Sequence, residues 1–136
     1  MTAAISPSSD TETVVDASAA VRALVYVDAT AEPWLRTKIA WPTLVYPEFA
    51  HSVIRLQRAS VVTLAQAHAA LDNLYLLAVD ARPVETLVRE AWDVALARNL
   101  TVYDACYIVL AEALDAPLVT ADRRLAAATA NAVLLT

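Results

Sequence analysis

The 136-residue chain contains no glycine. Phosphate-cradling P-loops, GxGxxG dinucleotide turns and GxSxG nucleophile elbows each need glycine for positive φ or close backbone approach, so all three are excluded. The single cysteine, Cys106, excludes an intrachain disulfide, a CxxC redox pair and a cysteine zinc cage. The two histidines, His51 and His68, stand too far apart for an HExxH metal helix. Positive charge is also scarce. Ten Lys and Arg face fifteen Asp and Glu, for a net charge of −5 and a pI near 4.8. Such a surface does not grip duplex DNA through phosphates alone; meeting nucleic acid would require a local source of positive charge, such as a bound divalent metal. The longest strongly apolar stretch, Tyr103 to Leu114, is interrupted by Asp104 and Glu112 and is too short to span a bilayer. Met1 to Thr13 carries no basic, apolar leader pattern. A cytoplasmic protein with no membrane contact is expected.

What is present is apolar side chain. Hydrophobic residues make up 59% of the chain and charged residues 18%, which suits one compact domain rather than a disordered segment. Residues 1–12, with Ser6, Pro7, Ser8 and Ser9, read as a flexible lead-in, and residues 13–136 as the domain. Val14-Val15 reads as a short buried strand ending on Asp16, with Ser18 or Asp16 itself capping the next helix. Lys38 to Trp41 is a second strand. Pro42 suits the first turn of a helix reaching about Arg58, with a kink expected at Pro47. Helices are predicted over Thr63–Leu74, Pro83–Arg98, Tyr103–Leu114 and Asp122–Thr129. Further strands are predicted at Leu76–Val79, Leu118–Thr120 and Ala132–Leu135. Short apolar strands alternating with helices give an α/β fold with a mostly parallel sheet of four to five strands, whose sites lie beyond the strands' carboxyl ends.

Four carboxylates stand in apolar company. Asp16 follows Val14-Val15, Glu48 lies inside the apolar run Trp41–Ile54, Asp104 opens the most apolar helix, and Asp122 follows Leu118-Val119-Thr120. Each has a plain reading. Asp16 and Asp122 suit helix caps, Thr101-x-x-Asp104 has the form of a capping box, and Glu48 is placed to pair with Arg55. The set is harder to explain. Ionised carboxylates in apolar surroundings are costly unless paired or metal-bound, and few lysines stand nearby. Converging oxygen ligands without a cation suit Mg²⁺ or Mn²⁺.

The chain also resembles the PIN-domain family, and within it the VapC-type toxins of toxin–antitoxin pairs. The matching stretches are Val14 to Ala19, Pro42 through Glu48 to Arg55, Leu100 to Glu112 with its Tyr103-Asp104-Ala105-Cys106-Tyr107 block, and Pro117 to Ala126 with Leu118-Val119-Thr120-Ala121-Asp122. The resemblance implies a three-layer α/β/α sandwich and a metal-dependent ribonuclease leaving 5′-phosphate and 3′-hydroxyl ends. Its acidic quartet falls on Asp16, Glu48, Asp104 and Asp122, and a hydroxyl near the metal falls on Ser18 or Thr120. It implies an antitoxin partner and a toxin homodimer or toxin–antitoxin hetero-oligomer. Asp115 stands where family members often carry glycine, and Pro47 directly before Glu48 is less usual.

The expected activity is therefore Mg²⁺- or Mn²⁺-dependent endoribonuclease action, as the toxin of such a pair. Asp16 and Asp104 are the expected ligands, Asp122 completes the site, and Glu48 binds metal or orients the attacking water. Arg22, Arg36, Lys38, Arg55, Arg58, Arg123 and Arg124 are candidate RNA contacts, Arg123 and Arg124 foremost because they follow a site acid. The alternative is a binding module of the same fold with little cleavage. Trp34, Trp41 and Phe49 would then line a partner groove or fill the core. An aspartyl-nucleophile phosphatase fits worse, since Ser18 stands where its second acid belongs. His51, one turn from Glu48, is placed to touch the site but reads first as an ordinary partly buried or surface histidine, and Cys106 as an inert buried thiol.

Overall fold

The computed structural model describes residues 5–136. Five strands, β1 (Glu12–Val15), β2 (Lys38–Pro42), β3 (Val79–Arg82), β4 (Leu118–Thr120) and β5 (Ala132–Leu134), form one parallel sheet in the order β3-β2-β1-β4-β5. Six helices connect them: α1 (Ala17–Leu24), α2 (Val45–Arg58), α3 (Leu64–Leu76), α4 (Val88–Arg98), α5 (Val102–Ala113) and α6 (Arg123–Ala127). The expected lead-in reaches into residues 1–4, which lie outside the described residues.

Side chains alternate across a strand, so each short apolar strand must bury two faces. Val15, Ile39, Trp41 and Val119 join one core with α1, α2 and α3. Val14, Ala40 and Leu118 join a second core with α4, α5 and α6. The result is the three-layer sandwich. Helix α5 is buried at every position from Ala105 to Ala111, because it packs on the sheet and on α4 together. Among the described residues no single helix is long and apolar enough to cross a membrane.

Several local expectations are corrected. Pro42 ends β2, and the helix starts three residues later. Pro47 consequently falls in the first turn of α2, where its missing N–H costs no helical hydrogen bond, and α2 runs unbroken to Arg58. The strand expected at Leu76–Val79 lies at Val79–Arg82. Thr63 closes a reciprocal capping box with Gln66, and α3 runs on through Leu76. A 3₁₀ turn, Val84–Thr86, precedes α4, and an unforeseen one spans Glu32–Arg36. The last helix and strand are shorter than expected. Trp34, Trp41 and Phe49 are all core residues, at 4%, 0% and 0% exposure, so none lines a partner groove.

Without glycine, the four left-handed backbone positions among the described residues fall on Val27, Ser60, Asn99 and Asp115, with φ between 49° and 59°. Asn99 caps the end of α4 in this conformation. Asp115 stands where the chain turns from α5 toward β4, a conformation glycine adopts most readily. Val27 is the costly case, because a β-branched side chain clashes there. Its side chain is 71% exposed and contributes little packing. Val27→Gly is expected to raise stability by about 1 kcal/mol, and by more than Asp115→Gly. A urea denaturation midpoint that falls for Val27→Gly would refute this.

Candidate functional site

The sheet reverses direction of winding between β1 and β4. From β1 the chain moves outward through β2 to β3, then returns to place β4 on the other side of β1. Crevices form beyond the carboxyl ends of strands at such a point. Asp16 follows β1 and Asp122 lies just beyond β4, so both stand there, as expected. Helices α2 and α5 bring Glu48 and Asp104 to the same place. All four acids line one cleft of about 310 Å³, together with Ser18, His51, Ser52, Arg55 and Tyr107.

Asp16, rather than Ser18, caps α1, accepting the Ala19 N–H on Oδ1 at 2.9 Å. Ser18 sits in the first turn and donates to the same oxygen at 2.7 Å. The Thr120 hydroxyl donates to Oδ2 at 2.5 Å from the end of β4. Both hydroxyls are tied further: Ser18 Oγ accepts the Ala121 N–H at 2.9 Å, and Thr120 Oγ1 accepts the Asp122 N–H at 3.0 Å. Ser18 and Thr120 therefore hold Asp16. Burial drives the Asp16 pKa from the usual 3.8 to about 6, against the pull of these donors, and the Asp104 charge adds a small push.

Glu48 makes no ion pair with Arg55. Instead Tyr107, itself 1% exposed, donates its hydroxyl to Oε1 at 2.6 Å. Burial raises the Glu48 pKa, Tyr107 opposes this, and Asp104 and Asp16 raise it further. Tyr107 was not singled out from the sequence. Its signal was present: three residues after Asp104 on a helix, it shares that acid's face.

The Thr101–Asp104 pair forms half a capping box. Thr101 Oγ1 accepts the Asp104 N–H at 3.0 Å, but among the described residues the Asp104 carboxylate makes no return bond to the Thr101 backbone. The carboxylate is left to face the cleft. Burial raises its pKa and Asp122 adds to this, while Thr101 and Arg124 oppose it. Asp122 does cap α6, but Oδ1 alone receives both N–H groups, from Arg124 at 2.9 Å and Leu125 at 3.2 Å. Cys106 is buried as expected, its thiol held protonated by burial and then by the nearby Glu48.

Five ion pairs occur among the described residues, and none includes a cleft acid. Nor do any three His, Cys, Asp or Glu side chains among those residues stand close enough to cage an ion unaided. The donor set still fits Mg²⁺ or Mn²⁺. Such ions take one or two carboxylates, keep several waters and share ligands with substrate phosphate. At about 30 Å³ per water, the cleft has room for a hydrated ion. Among the described residues Asp16 Oδ2 keeps a lone-pair site beyond its one hydrogen bond, and Asp122 Oδ2 accepts none.

A parallel three-layer sandwich with unpaired carboxylates at its switch point defines a class of small carboxylate-site α/β domains. The PIN domain model matches residues 13–131, and the chain belongs to the PIN-domain family. It is 39% identical over 112 residues to Ribonuclease VapC9 of Mycobacterium tuberculosis, covering 82% of this chain and 87% of that one. It is 41% identical over 122 residues to Ribonuclease VapC1 of the same organism, covering 86% and 90%. Among solved structures it is similar to PAE2754 from Pyrobaculum aerophilum, with a TM-score of 0.69 and 30% identity over 90% of this chain and 88% of that one. The fold is also shared with VapBC2 from Rickettsia felis, solved bound to a fragment of promoter DNA, with a TM-score of 0.62 and 18% identity over 91% and 97%.

A raised carboxylate pKa has a defined consequence for stability. The native state holds its Asp16 proton more tightly than the unfolded chain, so stability falls as pH rises between about 3.8 and 6. For Asp16 alone the difference amounts to about 3 kcal/mol. Glu48 and Asp104 act in the same direction. In chelator, urea denaturation of the parent is expected to show this loss, and Asp16→Asn a much shallower slope. Equal slopes would contradict the assignment.

Proposed function

We propose that this protein is the toxin of a toxin–antitoxin pair and acts as a Mg²⁺- or Mn²⁺-dependent endoribonuclease in the cytoplasm. The observation that carries the reading is the convergence of four carboxylates, none ion-paired among the described residues, on one cleft at the sheet's switch point. The ribonuclease names of relatives about 40% identical over most of the chain support it. The Rickettsia VapBC2 complex, which shares this fold, motivates an antitoxin partner. RNA is the proposed substrate, a homodimer or toxin–antitoxin hetero-oligomer the proposed assembly, and residues 13–136 the catalytic domain.

Asp16 and Asp104 are assigned as metal ligands, with Asp122 completing the set. These carboxylates would hold a divalent ion, which when bound would supply a water nucleophile near neutral pH and neutralise charge on the phosphodiester. Glu48 either joins the ligands or orients the attacking water, and Tyr107 fixes its carboxylate by donating to Oε1. Ser18 and Thr120 fix Asp16, leaving part of Oδ2 open. Arg123 follows Asp122 and is exposed, suited to a substrate phosphate. Water adds to phosphorus, the bond to the 3′ oxygen breaks, and the products are a 5′-phosphate and a 3′-hydroxyl.

Purified, partner-free protein is expected to cleave total RNA with Mg²⁺ or Mn²⁺ and not with chelator, with single-stranded DNA as the comparison substrate. Asp104→Asn and Asp16→Asn should each lower the rate about a hundredfold or more. Cleavage at the parent rate by either variant would overturn the site assignment. Cleavage indifferent to chelator would overturn the metal.

A further inference from the structure

Seven basic residues were candidates for RNA contact, and the structure sorts them. Arg22 is paired to Asp28 and Arg36 to Glu32. Arg124 donates to the Asn99 carbonyl at 3.0 Å, tying α6 to the turn before α5. Lys38 begins β2, at the amino end of a parallel sheet whose cleft lies at the carboxyl end. Arg123 opens α6 next to Asp122 but does not itself line the cleft. Arg55 and Arg58 remain, both exposed and neither in an ion pair among the described residues.

These two arginines belong to a second, larger groove of about 650 Å³ between α1 and α2. Val21 and Leu56 give it an apolar lining, and Tyr26, 53% exposed, stands at its side. Ser52 and Arg55 line both this groove and the acidic cleft, so the two are continuous. Along α2, Glu48, Ser52, Arg55 and Arg58 follow helical spacing, and at about 1.5 Å rise per residue Arg58 lies roughly 15 Å from Glu48. The surface thus changes from acidic to basic and aromatic over a few nucleotides' length. Positive charge along a groove with an aromatic platform is how single strands are held without sequence preference.

We infer that the RNA strand leaves the acidic cleft across Arg55 and enters the α1–α2 groove, with Arg55 and Arg58 on its phosphates and Tyr26 stacked on a base. This rests on the ribonuclease reading and supplies what a net charge of −5 otherwise denies, a local basic track for the substrate. The track also explains why Arg55 leaves Glu48 to Tyr107: a guanidinium paired to the cleft acid would be lost to phosphate.

The test measures binding of fluorescein-labelled polyuridylate at several salt concentrations, in an Asp104→Asn background so that the probe survives. Arg55→Ala/Arg58→Ala is expected to weaken binding about tenfold or more and to reduce the log–log salt slope by about 1.4, two single-strand phosphate contacts. Tyr26→Leu should weaken it roughly fivefold or more with the slope unchanged. Arg36→Ala/Arg89→Ala removes the same charge at remote ion pairs with Glu32 and Asp93 and should change neither quantity. All the substituted side chains but Asp104 are exposed, and circular dichroism melts verify that each variant folds. Parent affinity and slope in Arg55→Ala/Arg58→Ala would overturn the track and leave the groove to a protein partner. Equal weakening by the control pair would overturn it too, reducing the effect to overall charge. Parent protein that cleaves RNA while the groove variant binds as tightly as its background sinks this inference alone. Parent protein that neither binds nor cleaves RNA sinks the ribonuclease reading with it.

Discussion

The pairing of β1 with β4 is the constraint on which the rest of this molecule depends. Two register pairs, Val14 with Leu118 and Val15 with Val119, join segments about a hundred residues apart. They set the Thr120 hydroxyl against the Asp16 carboxylate and the Ala121 N–H against Ser18. They also make β1 the central strand, buried on both faces. A slip of one residue would turn Val14 and Val15 to the wrong cores and carry Asp16 away from its donors. The same pairing therefore selects the fold and assembles the cleft.

The cleft is a local conflict that the surrounding packing tolerates. A buried carboxylate loses hydration, and three acids with raised pKa values share one small space. Each is steadied by hydroxyl or N–H donors, Arg124 adds a weaker pull on Asp104, and none is ion-paired among the described residues. Hydroxyl donors are suited to this. They hold a carboxylate in place yet leave its charge available, whereas a lysine or arginine would neutralise it. The chain pairs arginines elsewhere, with Asp28, Glu32, Asp80, Asp93 and Glu112, all away from the cleft. Under the proposed function this arrangement trades stability for a site open to a cation, a trade expected where function needs strain.

Much of this was legible in the sequence because burial on both faces leaves a plain trace. Val14-Val15 and Leu118-Val119-Thr120 are short apolar runs followed by an acid, and that pattern located two strands and two cleft residues. The errors have separate physical causes. Proline fits a strand end and a first helical turn equally, so Pro42 and Pro47 fixed no boundary. The segment Leu76–Val79 is apolar, but the capping box at Thr63 starts a helix whose continuation through Leu76 displaced the strand. Aromatic side chains suit cores and interfaces alike, and only the packing of α1, α2 and α3 on the sheet settled Trp34, Trp41 and Phe49. Helical spacing put Tyr107 on the Asp104 face and Arg55 within reach of Glu48, but only three dimensions show that Tyr107 satisfies Glu48 and Arg55 does not.

The missing glycine meets the site at one point. Asp115 ends the turn after α5, and the next residues enter β4. Its left-handed conformation aims that strand at β1, so an awkward backbone position lies directly upstream of the pairing that builds the cleft. Aspartate tolerates this conformation better than most residues, and better than the β-branched Val27. The Ala116 N–H bonds the Ala111 carbonyl at 2.9 Å, closing the helix end as a glycine would. An Asp115 that narrows the chain's alternatives in the unfolded state restricts the backbone before folding begins. The residue that looks like a departure from the family pattern thus performs the same geometric task with less freedom to lose.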